Sequence, residues 1–474
     1  MARMCLALGL VACVSALAAG EAVGQAGEIS IGTVTATVVS PSDSTQRYAL
    51  YVPSAYRPDR AWPVVVIMDP RGRALIPLGA LEGAAESLGY ILISSYNTVS
   101  DGSAGPNELA VAAMIDDVQG LFSVDTRRLY FVGLSGTARM SWTLGNSLAE
   151  HTAGVIGFGA GLPSAAWLVT RMLDAEAPFA FFGGAGDLDF NYEEVLELDW
   201  ALDSEDFAHV VEFYAGPHAW PPPEVFEHSL DWMEVRAVRS GLRDPDPVLL
   251  ERLYRKRVDH ARALEADGSV YAAALTYRDV VTSFDGLVAV DSARHRSEEL
   301  ARSGAFRATE TGLRASVIER RRFDVEVREL LLRVRETGIA PDVKDAVRRL
   351  EIERLQEEAS TADQNERSRA AQRMLEALFV RASFYEPRGY VEVREFEIAV
   401  ALYRLADVIK PHSPPVCLGL GQAYAQLNDF DRAFEALDCL SEIGSLSLSR
   451  LESDPLLAPL RSDGRFADLL ARLR

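Results

Sequence analysis

The stretch Leu129-Tyr130-Phe131-Val132-Gly133-Leu134-Ser135-Gly136-Thr137 decides how the first half of the chain folds. Its apolar beginning, residues 129–132, predicts a strand, and residues 138–148 predict a helix directly after the turn. A serine in such a sharp strand-to-helix turn projects from the sheet edge, and the helix N-terminus offers N–H groups to a developing oxyanion. Glycines flank the serine because the turn is strained. The stretch therefore predicts a nucleophile at Ser135, with the Gly136 N–H as the first oxyanion donor.

Apolar strands and helices alternate on both sides of this stretch. The predicted strands are 48–52, 63–68, 90–94, 155–158, 179–182 and 210–214, and the predicted helices are 78–88, 107–122 (with Asn107 as N-cap) and 223–238. Continuous apolar runs are typical of parallel strands that are buried on both faces. The first domain, residues 27–240, is therefore predicted to be an α/β domain with a mainly parallel sheet and helices on both faces.

An acid and a histidine follow the serine, each just after a predicted strand. The strand 179–182 leads into Gly-Gly-Ala-Gly-Asp-Leu-Asp-Phe at 183–190. Asp187 follows the glycine turn directly and is the first candidate for the acid, while Asp189 is the reserve. The strand 210–214 leads into Gly-Pro-His-Ala-Trp-Pro at 216–221, which carries His218. This order predicts a Ser–Asp–His triad, in which the histidine moves the proton and the acid orients it.

Other strand ends supply the remaining candidate site residues. The strand 63–68 is followed by Asp69-Pro70-Arg71-Gly72. Because Pro70 has no N–H, the second oxyanion donor would be the N–H of Arg71 or Gly72. Loss of one such donor costs about 3–4 kcal/mol of transition-state stabilisation. At other strand ends, Tyr96, Asn97 and Trp220 are predicted to line an acyl or alcohol pocket.

These residues resemble a known family. The order Ser135, Asp187, His218 resembles an α/β-hydrolase triad, and residues 216–221 resemble the histidine loop of the polyhydroxybutyrate depolymerase and feruloyl esterase branch. Residues 133–139 resemble the elbow of bacterial esterases that also carry repeats. The resemblance spans about residues 45–235 and implies a serine esterase without a cofactor. Two positions depart from it: Thr137 replaces the last elbow glycine, and Asp69-Pro70 replaces the usual His-Gly.

The chain changes character near residue 240. Residues 27–240 hold 28 acidic and 11 basic residues, whereas residues 241–474 hold 40 acidic and 36 basic residues. The sequence pattern of residues 241–474 also predicts long helices. Packing positions recur there at a spacing of 34, and this spacing resembles tetratricopeptide repeats. We predict a helical region at 241–380 with one weak repeat-like hairpin, and tetratricopeptide-like repeats at 381–474; a generic helical domain is the alternative. The recurring pairs are Tyr390 and Tyr424, Phe396 and Phe430, Ala399 and Ala433, Tyr403 and Leu437, and Ala406 and Leu440, and the weaker hairpin carries Gly268, Val270, Ala273 and Tyr277.

Residues 1–26 are predicted to be an export signal and the start of the mature chain. Arg3 precedes a short apolar run at 6–17, and Ala-Leu-Ala at 16–18 is a cleavage pattern. The alternative is a lipobox-like cut that leaves a lipid anchor at Cys13. Either cut predicts a periplasmic or secreted protein, and no later stretch predicts a transmembrane span. Cys417 and Cys439 are expected to be buried free thiols, with a disulfide between them as the alternative.

Charge and motifs exclude several classes of function. A net charge of −21 disfavours nucleic acid as a partner and polyanions as substrates. The sequence has no His-Glu-x-x-His and no phosphate loop, so no metal and no cofactor are expected. We expect a serine hydrolase that cleaves a small-molecule or polymeric carboxylic ester, with repeats that bind a protein partner. The alternative is a catalytically silent scaffold whose repeats bind a partner, which Thr137 and the missing His-Gly favour.

Overall fold

The computed structural model describes residues 29–162, 179–362, 365–442 and 448–473. The predicted export signal, with Arg3 and Cys13, lies outside these residues. Within them, no helix combines the length and the apolar character that crossing a bilayer requires.

One eight-stranded sheet organises the first part of the chain, with the strand order β1-β2-β4-β3-β5-β6-β7-β8. β2 runs antiparallel to both of its neighbours, β1 and β4, and all other neighbouring strands, from β4 to β8, are parallel. β3, β4, β6 and β7 are buried along their whole length, as their apolar runs predict. The strands are β1 Val34–Val39, β2 Arg47–Tyr51, β3 Trp62–Met68, β4 Ile91–Ser95, β5 Val124–Leu134, β6 Thr152–Phe158, β7 Ala180–Gly186 and β8 His209–Tyr214.

Helices cover both faces of the sheet, which confirms the predicted mainly parallel α/β architecture. They span Leu75–Leu88, Ala104–Leu121, Gly136–Ser147, Tyr192–Ser204 and Pro223–Arg239. Asn107 is not a helix cap, because the helix already begins at Ala104. Its buried amide instead accepts the Val99 N–H and donates to the Val99 carbonyl, both at 2.9 Å. Asn107 therefore fixes the loop after β4.

The change in composition near residue 240 does not mark a break in packing. Leu250, Leu253 and Val280 share one apolar core with Trp232 and the sheet. A second core begins at Phe323, so the two cores meet along the long helix Gly304–Thr337. The helices of this part are Pro247–Ala266, Val270–Phe284, Asp291–Ala301, Gly304–Thr337, Val343–Arg349, Ile352–Ala359, Glu366–Val380, Glu386–Glu392, Phe396–Ile409, Pro414–Gln426, Phe430–Asp438, Leu448–Ser453 and Gly464–Arg472, with a π-helical turn at Arg381–Tyr385 and 3-10 turns at Cys439–Glu442 and Pro455–Ser462.

The 34-residue spacing is visible in the helices near the end of the chain. The helices Phe396–Ile409 and Phe430–Asp438 begin 34 residues apart, and the equivalent Ala399 and Ala433 are both fully buried. Small buried side chains allow close helix packing. The assignment to the tetratricopeptide family stays a prediction.

Cys417 and Cys439 form a disulfide, with Cα atoms 6.4 Å apart. The expectation of two free thiols is therefore wrong. The helix Pro414–Gln426 packs against the turn Cys439–Glu442, and this packing brings the two cysteines within bridging distance.

A buried arginine joins the helical part to the sheet. Arg373, on the helix Glu366–Val380, is fully buried. Its Nε donates to Glu193 at 2.7 Å, its Nη2 to Glu366 at 2.5 Å, and its Nη1 to the carbonyl of Asp187 at 2.9 Å. The guanidinium also lies 4.2 Å from the ring centre of Tyr192. These contacts fix the second core against the loop that follows β7.

We expect Arg373→Gln to lower the free energy of unfolding by about 3–5 kcal/mol, because it leaves the buried Glu193 with only a longer contact to Arg320 at 3.4 Å. Arg321→Gln is the matched control, since the Arg321 side chain is 71 % exposed and pairs with Glu197 at the surface. Its loss should be below about 1 kcal/mol. Urea titrations of both variants measure the difference, and equal losses would contradict the structural role of Arg373.

Candidate active site

Ser135 lies in a strained turn between β5 and the helix Gly136–Ser147. Its backbone has φ 59° and ψ −128°, a conformation that non-glycine residues rarely adopt. The Ser135 N–H donates to the Phe158 carbonyl on β6 at 2.8 Å, and its carbonyl accepts from Ala138 at 3.0 Å. Strain of this kind persists only where the surroundings hold it, and it is frequent at active sites. The turn has the geometry that the sequence predicts for a nucleophile elbow.

Thr137 fits the elbow in spite of its β-branched side chain. It is fully buried, and its hydroxyl accepts the Leu134 N–H at 3.0 Å. The same hydroxyl lies 2.7 Å from the Met68 carbonyl at the end of β3. Thr137 therefore ties the elbow to the neighbouring strand, and it does not crowd the turn.

The histidine is paired with Asp189. His218 Nδ1 lies 2.8 and 2.9 Å from the two carboxylate oxygens of Asp189, which is fully buried. The ring of Phe190 packs on the imidazole, with centroids 4.2 Å apart. Gly159, at φ +60°, makes room for this pair, because a Cβ there would press on both side chains. A carboxylate on Nδ1 fixes the tautomer that leaves Nε2 free to accept a proton.

The first candidate for the acid, Asp187, does not contact the histidine. Its carboxylate accepts the Gly216 N–H at 2.9 Å and so braces the histidine loop. β7 runs on to Gly186, four residues beyond the predicted strand end, and the chain then turns back through a bond from the Asp189 N–H to the Gly186 carbonyl. This turn corrects the prediction: the reserve candidate Asp189 is the residue that holds the imidazole.

Arg71 and Gly72, the two candidates for the second oxyanion donor, both use their N–H groups in hydrogen bonds to Asp69. The Arg71 N–H donates to the Asp69 carboxylate at 2.8 Å, and the Gly72 N–H donates to the Asp69 carbonyl at 3.2 Å. Burial by itself would raise the pKa of Asp69, but hydrogen bonds from Arg73 and Trp220 hold that pKa below its usual value. Asp69 therefore stays ionised and keeps these donors. The Gly136 N–H, at the first position of its helix, has no intrahelical partner.

A cavity of about 1040 Å³ opens over Ser135 and His218, between the sheet and the helical part. Tyr96 and Asn97 do not line it. The Tyr96 hydroxyl donates to the Ala36 carbonyl on β1, and Asn97 accepts the Arg47 N–H on β2. Both side chains therefore bond to the antiparallel strands at one edge of the sheet. The wall on the sheet side includes Arg71, Ile76, Leu134, Phe190 and Trp220, and the wall on the helical side includes Leu375, Phe379, Val380, Phe384 and Tyr385.

The sequence matches no protein-family model and no curated protein. Among solved structures, the S-formylglutathione hydrolase FrmB of Staphylococcus aureus aligns over 42 % of this chain and 94 % of its own, with 13 % identity and a TM-score of 0.36. The feruloyl esterase module of Clostridium thermocellum aligns over 42 % and 85 %, with 12 % identity and a TM-score of 0.35. An S-formylglutathione hydrolase of Agrobacterium tumefaciens aligns over 43 % and 94 %, with 14 % identity and a TM-score of 0.34. These similarities cover the N-terminal part of the chain.

The His218–Asp189 bond gives a prediction that does not depend on any substrate. A histidine Nδ1 proton held by a carboxylate resonates far downfield in the proton NMR spectrum. We expect Asp189→Asn to abolish this signal, because the amide is a weaker acceptor. Asp187→Asn is the matched control and should keep the signal. A signal that is lost only in Asp187→Asn would contradict the pairing.

Proposed function

We propose that this protein is a serine hydrolase of the α/β-hydrolase type, which cleaves a carboxylic ester through an acyl-enzyme. The observation that carries the proposal is the strained Ser135 turn in one cavity with His218, whose Nδ1 is held by the buried Asp189. The order serine, aspartate, histidine along the chain is the order of that fold. An ester suits the site because its carbonyl carbon accepts the serine oxygen and its alcohol leaves as the proton returns.

The proposed reaction follows from the role of each group. Ser135 Oγ attacks the ester carbonyl while His218 Nε2 takes its proton, and Asp189 stabilises the resulting imidazolium. The carbonyl oxygen becomes an oxyanion against the Gly136 N–H. His218 then gives the proton to the leaving alcohol, and the acyl group stays on Ser135. A water molecule, deprotonated by His218, releases the acid and restores the serine.

The helical part is proposed to select the substrate. Phe384 and Tyr385 line the cavity, and they remain 46 % and 40 % exposed although aromatic side chains favour burial. Exposed apolar side chains around a cavity are typical of ligand sites. An ester with a long or aromatic group would reach this wall from Ser135, whereas an acetyl ester would not fill the cavity.

Export and a protein partner for the repeats remain proposals. The disulfide between Cys417 and Cys439 supports export, because disulfides persist in oxidising compartments. A lipid anchor at Cys13 is the alternative to a free mature chain. The helices from Phe396 to Asp438, which contribute Ile409 and Pro415 to the cavity lining, would also carry the partner surface.

One observation favours the second candidate, a catalytically silent scaffold. The N–H groups of Arg71 and Gly72 are engaged by Asp69, so neither can hold an oxyanion as the structure stands. An elbow with a single donor would be a poor catalyst, and the repeats would then carry the function.

A fluorophosphonate probe separates the two candidates. We expect covalent labelling of the folded protein, lost in Ser135→Ala and His218→Ala. Ester turnover should disappear in the same variants, and Asp189→Asn should lower kcat by about 10⁴-fold because the imidazole tautomer is no longer held. Asp187→Asn serves as the control for Asp189→Asn. Turnover that persists in folded Ser135→Ala would refute the proposed hydrolase.

The proposed role of the helical wall is tested with p-nitrophenyl esters of different acyl length. Phe384→Ala should lower kcat/KM for the decanoate by about tenfold or more, since it removes roughly 1.5–3 kcal/mol of apolar burial. Turnover of the acetate should change little. Ile339→Ala is the matched control, because Ile339 is exposed and does not line the cavity. Equal effects on both esters would argue against substrate selection by this wall.

A further inference from the structure

The side-chain hydroxyl of Ser100 is a buried polar group near the candidate active site. Its Oγ is buried and has no hydrogen-bond partner among the described residues. Nearly all buried polar atoms in native proteins are paired, so an unpaired one needs an explanation. Ser100 lines the same cavity as Ser135 and His218. An unbonded, buried hydroxyl therefore lies close to the candidate active site.

The loop after β4 holds Ser100 in a defined position. The Ser100 N–H donates to the Pro70 carbonyl at 2.9 Å, on the loop that was predicted to form the oxyanion hole. Thr98 Oγ1 donates to the Asp69 carbonyl at 2.9 Å, and the Asn107 amide clamps Val99 between them. These bonds anchor the backbone at Ser100 and at the two residues before it, so the fold fixes where the serine lies.

The fixed hydroxyl lies against Gly136. A Cβ at position 136 would collide with Ser100 Oγ, so glycine at this position is what lets the two loops approach. Gly136 is the residue that offers the first oxyanion N–H. A donor on Ser100 thus stands beside the place where the negative charge of the tetrahedral intermediate develops.

We propose that the Ser100 hydroxyl is the second oxyanion donor, in place of the N–H groups of Arg71 and Gly72. This inference rests on the proposed hydrolase function. The hydroxyl keeps its proton and forms one hydrogen bond to the carbonyl oxygen as that oxygen gains charge, so no covalent bond changes at Ser100. Since no described residue bonds to Oγ, no bond within the described part of the chain has to break first. The interaction therefore acts on the transition state.

The test compares Ser100→Ala with Ser103→Ala, an exposed serine on the same loop whose side chain caps no helix. With p-nitrophenyl butyrate, Ser100→Ala should lower kcat by about 10²–10³-fold and leave KM nearly unchanged, because a transition-state contact is lost. The rate of fluorophosphonate labelling should fall with it. The Tm should stay the same or rise, since the substitution removes no hydrogen bond among the described residues. Ser103→Ala should match the wild type in all these measurements.

The outcomes separate this inference from the proposed function. If the wild type reacts with the probe at Ser135 and both serine variants keep its kcat, Ser100 is not a donor and the hydrolase stands. A fall in Tm in Ser100→Ala, with no change in kcat at temperatures where it is folded, also overturns the inference. If the folded wild type neither reacts with the probe nor hydrolyses the ester, the proposed function itself fails.

Discussion

The hydrogen bonds of the buried Arg373 guanidinium hold the helical part of the chain against the sheet domain. Burial penalises the charge of this guanidinium, so it is stable there only because Glu193 and Glu366 both accept from it. Its remaining bond goes to the carbonyl of Asp187, two residues before the aspartate that holds His218. Movement of this loop would remove a hydrogen bond from the buried guanidinium. A residue of the helical part thus contacts the loop that carries the aspartate bonded to His218, and helical residues also line the cavity over Ser135.

The two departures from the elbow pattern have opposite consequences. Thr137 is accommodated because its hydroxyl finds partners on β3 and β5, so it strengthens the elbow. Asp69 is also well bonded, but its partners are N–H groups that an oxyanion would need. The ion pair with Arg73 and the hydrogen bond from Trp220 keep this carboxylate ionised. In the proposed reaction, the oxyanion would therefore need other donors, and the Ser100 hydroxyl, unpaired among the described residues, is the proposed one.

Features that depend on neighbours along the chain are visible in the sequence, whereas features that depend on distant partners are not. The strands are visible as apolar runs, and the strained turn is visible in residues that surround Ser135. Asp187 and Asp189 are both carboxylates on one loop, and only the length of β7 decides which of them faces His218. Tyr96 sits at a strand end, but its hydroxyl bonds to β1, a pairing that no local signal indicates.

The sequence by itself determined the mainly parallel sheet, the serine turn, the choice of His218 and the 34-residue spacing of the last helices. Each of these rests on periodicity or on strain within a few residues. Only the tertiary structure decided the acid partner of the histidine, the engagement of the Arg71 and Gly72 N–H groups, the pairing of the two cysteines and the aromatic wall of the cavity. These features join residues that are far apart in the chain, where burial, charge pairing and packing select one partner among many.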